Sequence, residues 1–197
     1  MSIDIISAPF ENPIHDAQQT FRALLSATSR PGTVVQLPLP RATPSPFTSA
    51  LCSIALTLFD DTTTVWLDDA LATKDVLRYL RFHTGATIVA EQSDAAFGVM
   101  ADTRDLSDFG AFSVGDATYP DRSATLIVQL PSLTGGAEVT LAGPGIEHTT
   151  TVSPTGLPEG FWHWWNRNAS RYPCGIDMIF TDGTAVMGLP RTTKASF

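Results

Sequence analysis

The residues with the clearest chemical potential lie near the C-terminal end of the chain, within residues 172–193. Two apolar runs are joined there by an Asp-Gly dipeptide at 182–183, a pair that favours the tight turn of a β-hairpin. With those two residues as the turn, Asp177 faces Gly188 and is the one acid on a face of small and apolar residues. In this register Arg191, just beyond the second strand, belongs to the opposite face from Asp177.

A lone carboxylate in a buried strand requires an explanation, because its burial without a partner costs several kcal/mol or forces protonation. A structural ion pair is the default interpretation of Asp177. Arg191 can supply the cation only if Pro190 turns the chain, and otherwise a different arginine must serve. The alternative is an active-site acid, but no nucleophile, metal-ligand set or cofactor lysine accompanies it in the sequence. We therefore interpret the hairpin as a scaffold whose polar residues fix geometry.

A second group of candidate residues is the basic stripe formed by Lys74, Arg78 and Arg81, which leads to His83. The spacing i, i+4, i+7 places the three cations on one side of a helix. They either grip a phosphate or phosphonate, with His83 as a proton donor near neutral pH, or they follow from the preference of cations for a helix C-terminus. Arg81, His83 and Arg191 are the candidate anion-binding residues.

The segment FWHWW at 161–165 concentrates aromatic side chains in one helix. Phe161 and Trp165 share a face because residues four apart on a helix are neighbours. Trp162 and Trp164 point elsewhere, so they either complete the core or anchor a subunit interface, where tryptophan is enriched. No phosphate-binding glycine loop, zinc motif or nucleophile elbow is present, and the Gly-Pro-Gly at 143–145 is more typical of a turn.

The elements that must position these residues alternate between helix and strand. Hydrophobic periodicity and turn residues predict helices at 16–29, 49–59, 74–82 and 157–171, the last with Pro158 in its first turn. Strands are predicted at 33–35, 64–67, 87–90, 97–100, 124–130, 137–141 and 149–152, followed by the hairpin. The class is α/β with a mixed sheet, in a single domain spanning residues 1–197 whose first thirteen residues form an extended arm.

The first helix is predicted in most detail. Asp16 resembles an N-cap with Gln19 three residues later, which is a capping-box pattern. An apolar face follows at helical spacing, and its members are Ala17, Phe21, Leu24, Leu25 and Thr28. The helix ends before Pro31, because the residue preceding a proline is pushed out of the helical region.

Composition, charge and the absence of targeting or membrane-spanning patterns argue against several classes of function. A net charge of −8 and a sequence pI of about 4.7 argue against a nucleic-acid partner, which requires a basic surface. Two distant cysteines form neither a disulfide framework nor a metal site. The N-terminal residues lack the features of a signal peptide, and no apolar run approaches the length of a membrane span. We expect a cytoplasmic protein with no membrane or nucleic-acid partner and no bound metal.

Five short segments, in order, carry a resemblance to a known family. They are FR at 21–22 with RPG at 30–32, RFHT at 81–84, LAGPGI at 141–146, GID at 175–177 and PRTT at 190–193. Over nearly its whole length the chain resembles the PhnH family of phosphonate-metabolism proteins, which are non-radical subunits of the carbon–phosphorus lyase core complex.

The resemblance implies a three-layer α/β/α fold similar to pyridoxal-phosphate-dependent transferases but without the cofactor. It implies a homodimer when the chain is isolated, and an assembly with the other core subunits in the cell. That assembly, of the ribose 1-methylphosphonate 5-triphosphate synthase type, transfers ribose triphosphate from ATP to an alkylphosphonate. Two cysteines cannot hold an iron–sulfur cluster, and neither Lys74 nor Lys194 resembles a desolvated Schiff-base lysine. We therefore expect neither cofactor.

Two hypotheses of function remain after these exclusions. In the first, the chain is a structural subunit that stabilises its partners and is not catalytic alone. In the second, Arg81, His83 and Arg191 contribute anion-binding groups to a nucleotide or phosphonate site. We favour the first, because the resemblance implies an assembly role while the residues supply no complete catalytic set.

Overall fold

A computed structural model of the chain describes residues 8–103 and 111–197, and the statements below refer to those residues. The four helices are α1 (Pro13–Ser29), α2 (Ser49–Leu58), α3 (Lys74–His83) and α4 (Phe161–Ala169). The first five strands are β1 (Val34–Gln36), β2 (Thr64–Leu67), β3 (Thr87–Ile88), β4 (Phe97–Met100) and β5 (Thr125–Gln129). The others are β6 (Val139–Ala142), β7 (Thr150–Val152), β8 (Asp177–Thr181), β9 (Ala185–Leu189) and β10 (Lys194–Ser196).

Seven strands form one mixed sheet in the order β1-β9-β8-β5-β4-β2-β3. The five strands from β8 to β3 are parallel, whereas β9 runs antiparallel to both β8 and β1. The remaining strands form a separate antiparallel sheet in the order β10-β6-β7. The predicted α/β class with a mixed sheet is confirmed.

The large sheet separates two hydrophobic cores. Along β5, Ile127 belongs to the core shared with α1, α2 and α3, while Leu126 and Val128 belong to the core shared with α4 and the small sheet. Successive side chains of a strand point to opposite faces, so one buried strand contributes to both cores. The layer on the α4 side is thus a helix together with a three-stranded sheet, rather than the purely helical layer expected from the resemblance.

The closing hairpin has a different register from the predicted one. Ile179 faces Gly188 and Thr181 faces Val186, so each partner lies two residues beyond the expected one. The side chain of Asp182 accepts the N–H groups of Thr184 and Ala185, which makes Gly183 and Thr184 the central residues of the turn. Side chains alternate with a period of two, so a shift of two leaves the predicted faces unchanged.

Helix α1 begins three residues before the predicted start. Asn12, not Asp16, is the N-cap, and its side chain accepts the N–H of His15 at 3.2 Å. Asp16 accepts the backbone N–H of Asn12 at 3.0 Å in return, and Pro13 occupies the first helical position, where its missing N–H costs nothing. The expected arm over residues 1–13 therefore stops short of Pro13, and residues 1–7 lie outside the described part.

Two further features near the C-terminus, the start of α4 and the strand β10, differ from expectation. Helix α4 begins after Gly160, whose φ of +80° is a left-handed conformation, so Pro158 precedes the helix instead of entering its first turn. Strand β10 was not predicted at all. It pairs antiparallel with β6, with Ala195 facing Leu141, and its three residues are too few to show a periodicity.

Candidate functional site

The most highly connected polar group in the described residues is the ion pair between Asp177 and Arg191. Asp177 is the first residue of β8, and the observed register carried back by one residue places it opposite Pro190. The adjacent Arg191 then donates its backbone N–H to Asp177 Oδ1 at 2.7 Å. Its guanidinium reaches the same carboxylate, with Nε 3.1 Å from Oδ1 and Nη2 2.5 Å from Oδ2. The expectation that the register separates these residues is wrong, because the hairpin turn lies one residue further along and brings Pro190 opposite Asp177. The chain then turns after β9, where Thr193 donates its N–H to the carbonyl oxygen of Pro190, as pairing with Arg191 required.

The guanidinium of Arg191 also binds three groups outside the hairpin. Nη1 donates to the carbonyl oxygens of Pro120 at 3.0 Å and Pro173 at 3.3 Å, and Nη2 donates to the hydroxyl of Ser123. A guanidinium has five N–H groups, and together with the Asp177 contacts these bonds use all of them. Its side chain is only 13% exposed. Arg191 therefore holds three chain segments together and has no N–H left for a ligand.

Four of the five family-like segments converge around this pair. A Cβ atom on Gly143 would lie 2.8 Å from the carbonyl oxygen of Thr192, and one on Gly145 would lie 2.1 Å from that of Ser29. The turn after α1, the Gly-Pro-Gly loop and the segment after β9 are thus in backbone contact. Gly175, which has a φ of +126°, packs against Asn168 and Arg191. The glycines are required for close approach, which supports the turn interpretation of the Gly-Pro-Gly loop.

A groove of about 810 Å³ lies beside the pair, between α1 and the large sheet. Phe21 and Leu25 of α1 form one wall, and the first residues of β4, β5 and β8, namely Phe97, Thr125 and Asp177, contribute to the opposite side. The groove is mainly apolar. It lies at the amino ends of the parallel strands, whereas small ligands in open α/β sheets bind at the carboxyl ends.

Three large apolar side chains are exposed on one side of α1. Ile14, Phe21 and Leu25 are 87%, 46% and 52% exposed, and they fall within an arc of about 40° on the helix. The residues of α1 that are buried are Thr20, Leu24 and Ala27. The predicted apolar face was therefore wrong for Phe21 and Leu25. The buried face corresponds to a second row at i, i+4, i+7, formed by Thr20, Leu24 and Ala27. Apolar periodicity did not indicate this row, because its first member, Thr20, is polar.

Arg81 and His83 lie at the end of α3, away from Arg191. Helix α3 leads into β3, and four strand spacings separate β3 from β8, which amounts to about 19 Å. Arg81 is exposed, while the ring of His83 packs against those of Tyr79 and Phe82 at centroid distances of 4.5 and 4.9 Å. The pocket that contains Arg191 is not lined by either residue. A ligand-binding role for Arg81 and His83 stays a prediction.

The α4 tryptophans that were predicted as interface candidates are partly covered by the chain itself. Trp162 and Trp164 are half-buried and pack against the core that contains Phe161 and Trp165. Trp165 is fully buried and donates its indole N–H to the carbonyl oxygen of Thr193 at 2.9 Å. An interface role for Trp162 and Trp164 stays a prediction. The more exposed large apolar side chains of α1 are the alternative site for an interface.

Cys52 and Tyr79 form a buried titratable pair with a structural role. The thiol of Cys52 donates to the hydroxyl of Tyr79 at 3.3 Å in the core under α2 and α3. Burial raises the pKa of Cys52 to about 11 and also raises the pKa of Tyr79. Both groups are neutral near pH 7. Among the described residues no cluster of histidine, cysteine and acidic side chains has the geometry of a metal site, and no helix is both long and apolar enough to cross a bilayer.

Residues 8–196 match the family model described as bacterial phosphonate metabolism protein (PhnH). The chain belongs to this family. It is 38% identical over 190 residues to the alpha-D-ribose 1-methylphosphonate 5-triphosphate synthase subunit PhnH of Rhizobium meliloti (strain 1021), covering 96% of this chain and 95% of that protein. It is 30% identical over 176 residues to a protein of Stutzerimonas stutzeri provisionally named C-P lyase subunit protein HtxG, covering 89% of this chain and 84% of that protein.

Proposed function

We propose that this chain is a non-radical subunit of a carbon–phosphorus lyase core complex in organic phosphonate catabolism. With its partner subunits it supports the transfer of ribose triphosphate from ATP to an alkylphosphonate, and its own role is mainly structural. The two relatives, whose names give them as subunits of such systems, support the assignment of the complex. The observation that carries the structural role is the exposed apolar row of Ile14, Phe21 and Leu25 beside the groove.

The geometry of the Asp177–Arg191 pair supports a structural role over a catalytic one. Catalytic groups must present a lone pair, a proton or a positive charge to the reacting atoms. Here the guanidinium is saturated by Asp177, Ser123 and two carbonyl oxygens, and it orders the turn that precedes β10. The pair fixes the shape of the subunit next to the groove, which is a prerequisite for a specific interface.

We also propose that the fold is related to that of pyridoxal-phosphate-dependent transferases and works without the cofactor. The five parallel strands with helices packed on them support the relationship. A Schiff-base lysine needs a desolvated site that lowers its pKa. Lys74 is exposed at the start of α3 and Lys194 is exposed on β10, so both side chains lie in water.

The apolar row of α1 supports two contacts that exclude each other. In the isolated cytoplasmic chain, a second copy covers it and gives a homodimer. In the assembled complex, a partner subunit takes that place. Burial of apolar side chains contributes about 25 cal/mol per Å² of surface removed from water. Phe21 and Leu25 belong to both the row and the mainly apolar groove, and this shared surface can serve either contact.

The test is co-purification from cells grown on a phosphonate as the phosphorus source. We expect the tagged wild-type chain to recover the other core subunits and Phe21→Asp to lose them, because the substitution places a charge in a desolvated contact. Gln19→Asp is the matched control: it adds the same charge to the same helix, on the opposite side from Phe21. Recovery of the wild-type chain without the core subunits would overturn the proposal. If both variants lost the core subunits equally, the contact would lie elsewhere than on the apolar row.

A further inference from the structure

The outer face of α3 carries a basic stripe formed by Lys74, Arg78 and Arg81. At 100° per residue the three side chains fall within an arc of about 60° and span about 10 Å along the helix axis. The buried residues of α3, Val76, Tyr79 and Leu80, lie on the opposite side, so the stripe points straight into solvent. All three cations are exposed, on a chain whose net charge is −8.

The helix itself does not account for the stripe. Cations are favoured at a helix C-terminus by the macrodipole, which explains Arg81 in the last turn. Lys74 is the first residue of α3, where the same dipole disfavours a positive charge. Asp75, also in the first turn, occupies the position that the dipole favours for an acid. Within the described ranges no salt bridge joins the stripe to a carboxylate, so the three cationic groups are open to a partner.

The shape of this surface distinguishes between possible anions. Small ligands bind in concave sites that enclose most of their surface, whereas the stripe lies along the convex side of a helix. Phe82, which is 59% exposed, projects about 40° beyond Arg78 on the same outer face. Arginine next to an exposed aromatic ring is the composition of protein interfaces, where both residue types are enriched.

We propose that the basic stripe, with Phe82 at its edge, is the docking surface for an acidic surface of a partner subunit. This inference rests on the proposed function, since the partner is a protein of the same assembly. Charge complementarity selects the occupant, because three exposed cations on one helix face form a local positive surface on a chain whose net charge is −8, and such a surface attracts an acidic partner. Such complementarity accelerates association and fixes the orientation of the two proteins. The stripe and the apolar row of α1 are separate surfaces on different helices.

The experiment measures association of this chain with the other core subunits, which are co-expressed and purified without it. Association rates are compared at about 0.05 M and about 0.3 M salt, across which screening strengthens. We expect Arg78→Glu to lower the association rate about tenfold at the lower salt concentration and to weaken its salt dependence. Arg171→Glu, the same charge change at another exposed arginine, should leave both unchanged. Unchanged unfolding midpoints confirm that both variants fold.

The other outcomes identify other occupants or remove the inference. Binding of inorganic tripolyphosphate to the isolated chain, lost in Arg78→Glu, would replace the partner protein by a small anion. Loss of self-association in Arg78→Glu would make the occupant a second copy. An unchanged association rate for Arg78→Glu, or an equal fall in that rate for Arg171→Glu, would overturn this inference alone. Failure of the wild-type chain to bind the core subunits at all would overturn the proposed function as well.

Discussion

The substitution Arg191→Met tests whether the guanidinium holds the fold together. Methionine keeps an unbranched apolar stem, but it leaves the Asp177 carboxylate with only the backbone N–H of residue 191 and removes the donors of two carbonyl oxygens. Removing one partner of a buried ion pair costs about 3–5 kcal/mol. The Asp177 side chain is 33% exposed, so water partly replaces the guanidinium and the cost falls to about 3 kcal/mol. For a chain of this length we expect a fall in the thermal midpoint of about 6–12 °C.

The assay is urea unfolding followed by tryptophan fluorescence, with the free energy of unfolding taken from a two-state fit. Arg191→Lys is the matched control. Its ammonium can reach Asp177 but cannot donate to both flanking carbonyl oxygens in the plane of a guanidinium, so we expect about half the loss. A double-mutant cycle with Asp177→Asn should give a coupling energy of about 1.5–2 kcal/mol, because the two groups are in direct contact.

Two results would refute this reasoning about Arg191. A loss of less than about 0.5 kcal/mol would equal that of an ordinary surface substitution, and the pair would then contribute nothing to stability. A fully stable Arg191→Met chain that assembles with its partners but no longer supports phosphonate breakdown would assign Arg191 to a ligand site instead.

Two further predictions concern packing and thiol chemistry. Gly188→Ala should destabilise the chain by about 1–3 kcal/mol, because the added Cβ would lie 2.6 Å from the backbone oxygen of Ala27. Gly98→Ala should cost less in the same urea assay, because the three atoms nearest to its added Cβ belong to the side chains of Phe112 and Leu126, which can shift more readily than backbone. At pH 8 an aromatic disulfide reagent should react with half-buried Cys174 and spare Cys52, whose pKa is about 11, and rapid reaction of both thiols would contradict this. In the unfolded chain the Cys52 thiol ionises near its ordinary pKa of 9.0, whereas in the native chain it stays protonated. The free energy of unfolding should therefore fall as pH rises from about 9 to 11, and it should fall less steeply in Cys52→Ala.

Element types were predictable from the sequence where a local pattern was long enough. Strands β2 and β4 occupy the predicted residues, and α2 and α3 differ from prediction by one residue each. Errors arose where two local signals competed. At the start of α1, both Asn12 and Asp16 can cap a helix, and Pro13 favours the earlier start because its missing N–H is tolerated there. Strand β10 carried no local signal, because three residues are too few to show an alternation. Its pairing depends on β6, which lies about fifty residues earlier in the chain.

The buried face of α1 shows the same limit. Its sequence contains two overlapping rows at helical spacing, and amphipathicity alone cannot rank them. Packing decides, because Gly188 lets the backbone of α1 at Ala27 approach β9 closely. That approach buries Leu24 and leaves Phe21 and Leu25 on the outside, where they line the groove.

The sequence by itself determined the fold class, the family and the two faces of the closing hairpin. Alternation with a period of two is a local property, and it survived a shift of the register. Only the tertiary structure decided that Asp177 and Arg191 meet. Their contact depends on which residues form the turn, and it requires Pro120, Ser123 and Pro173 to approach from other parts of the chain. A guanidinium satisfied by groups about seventy residues apart is a product of folding, because no local pattern specifies such distant partners.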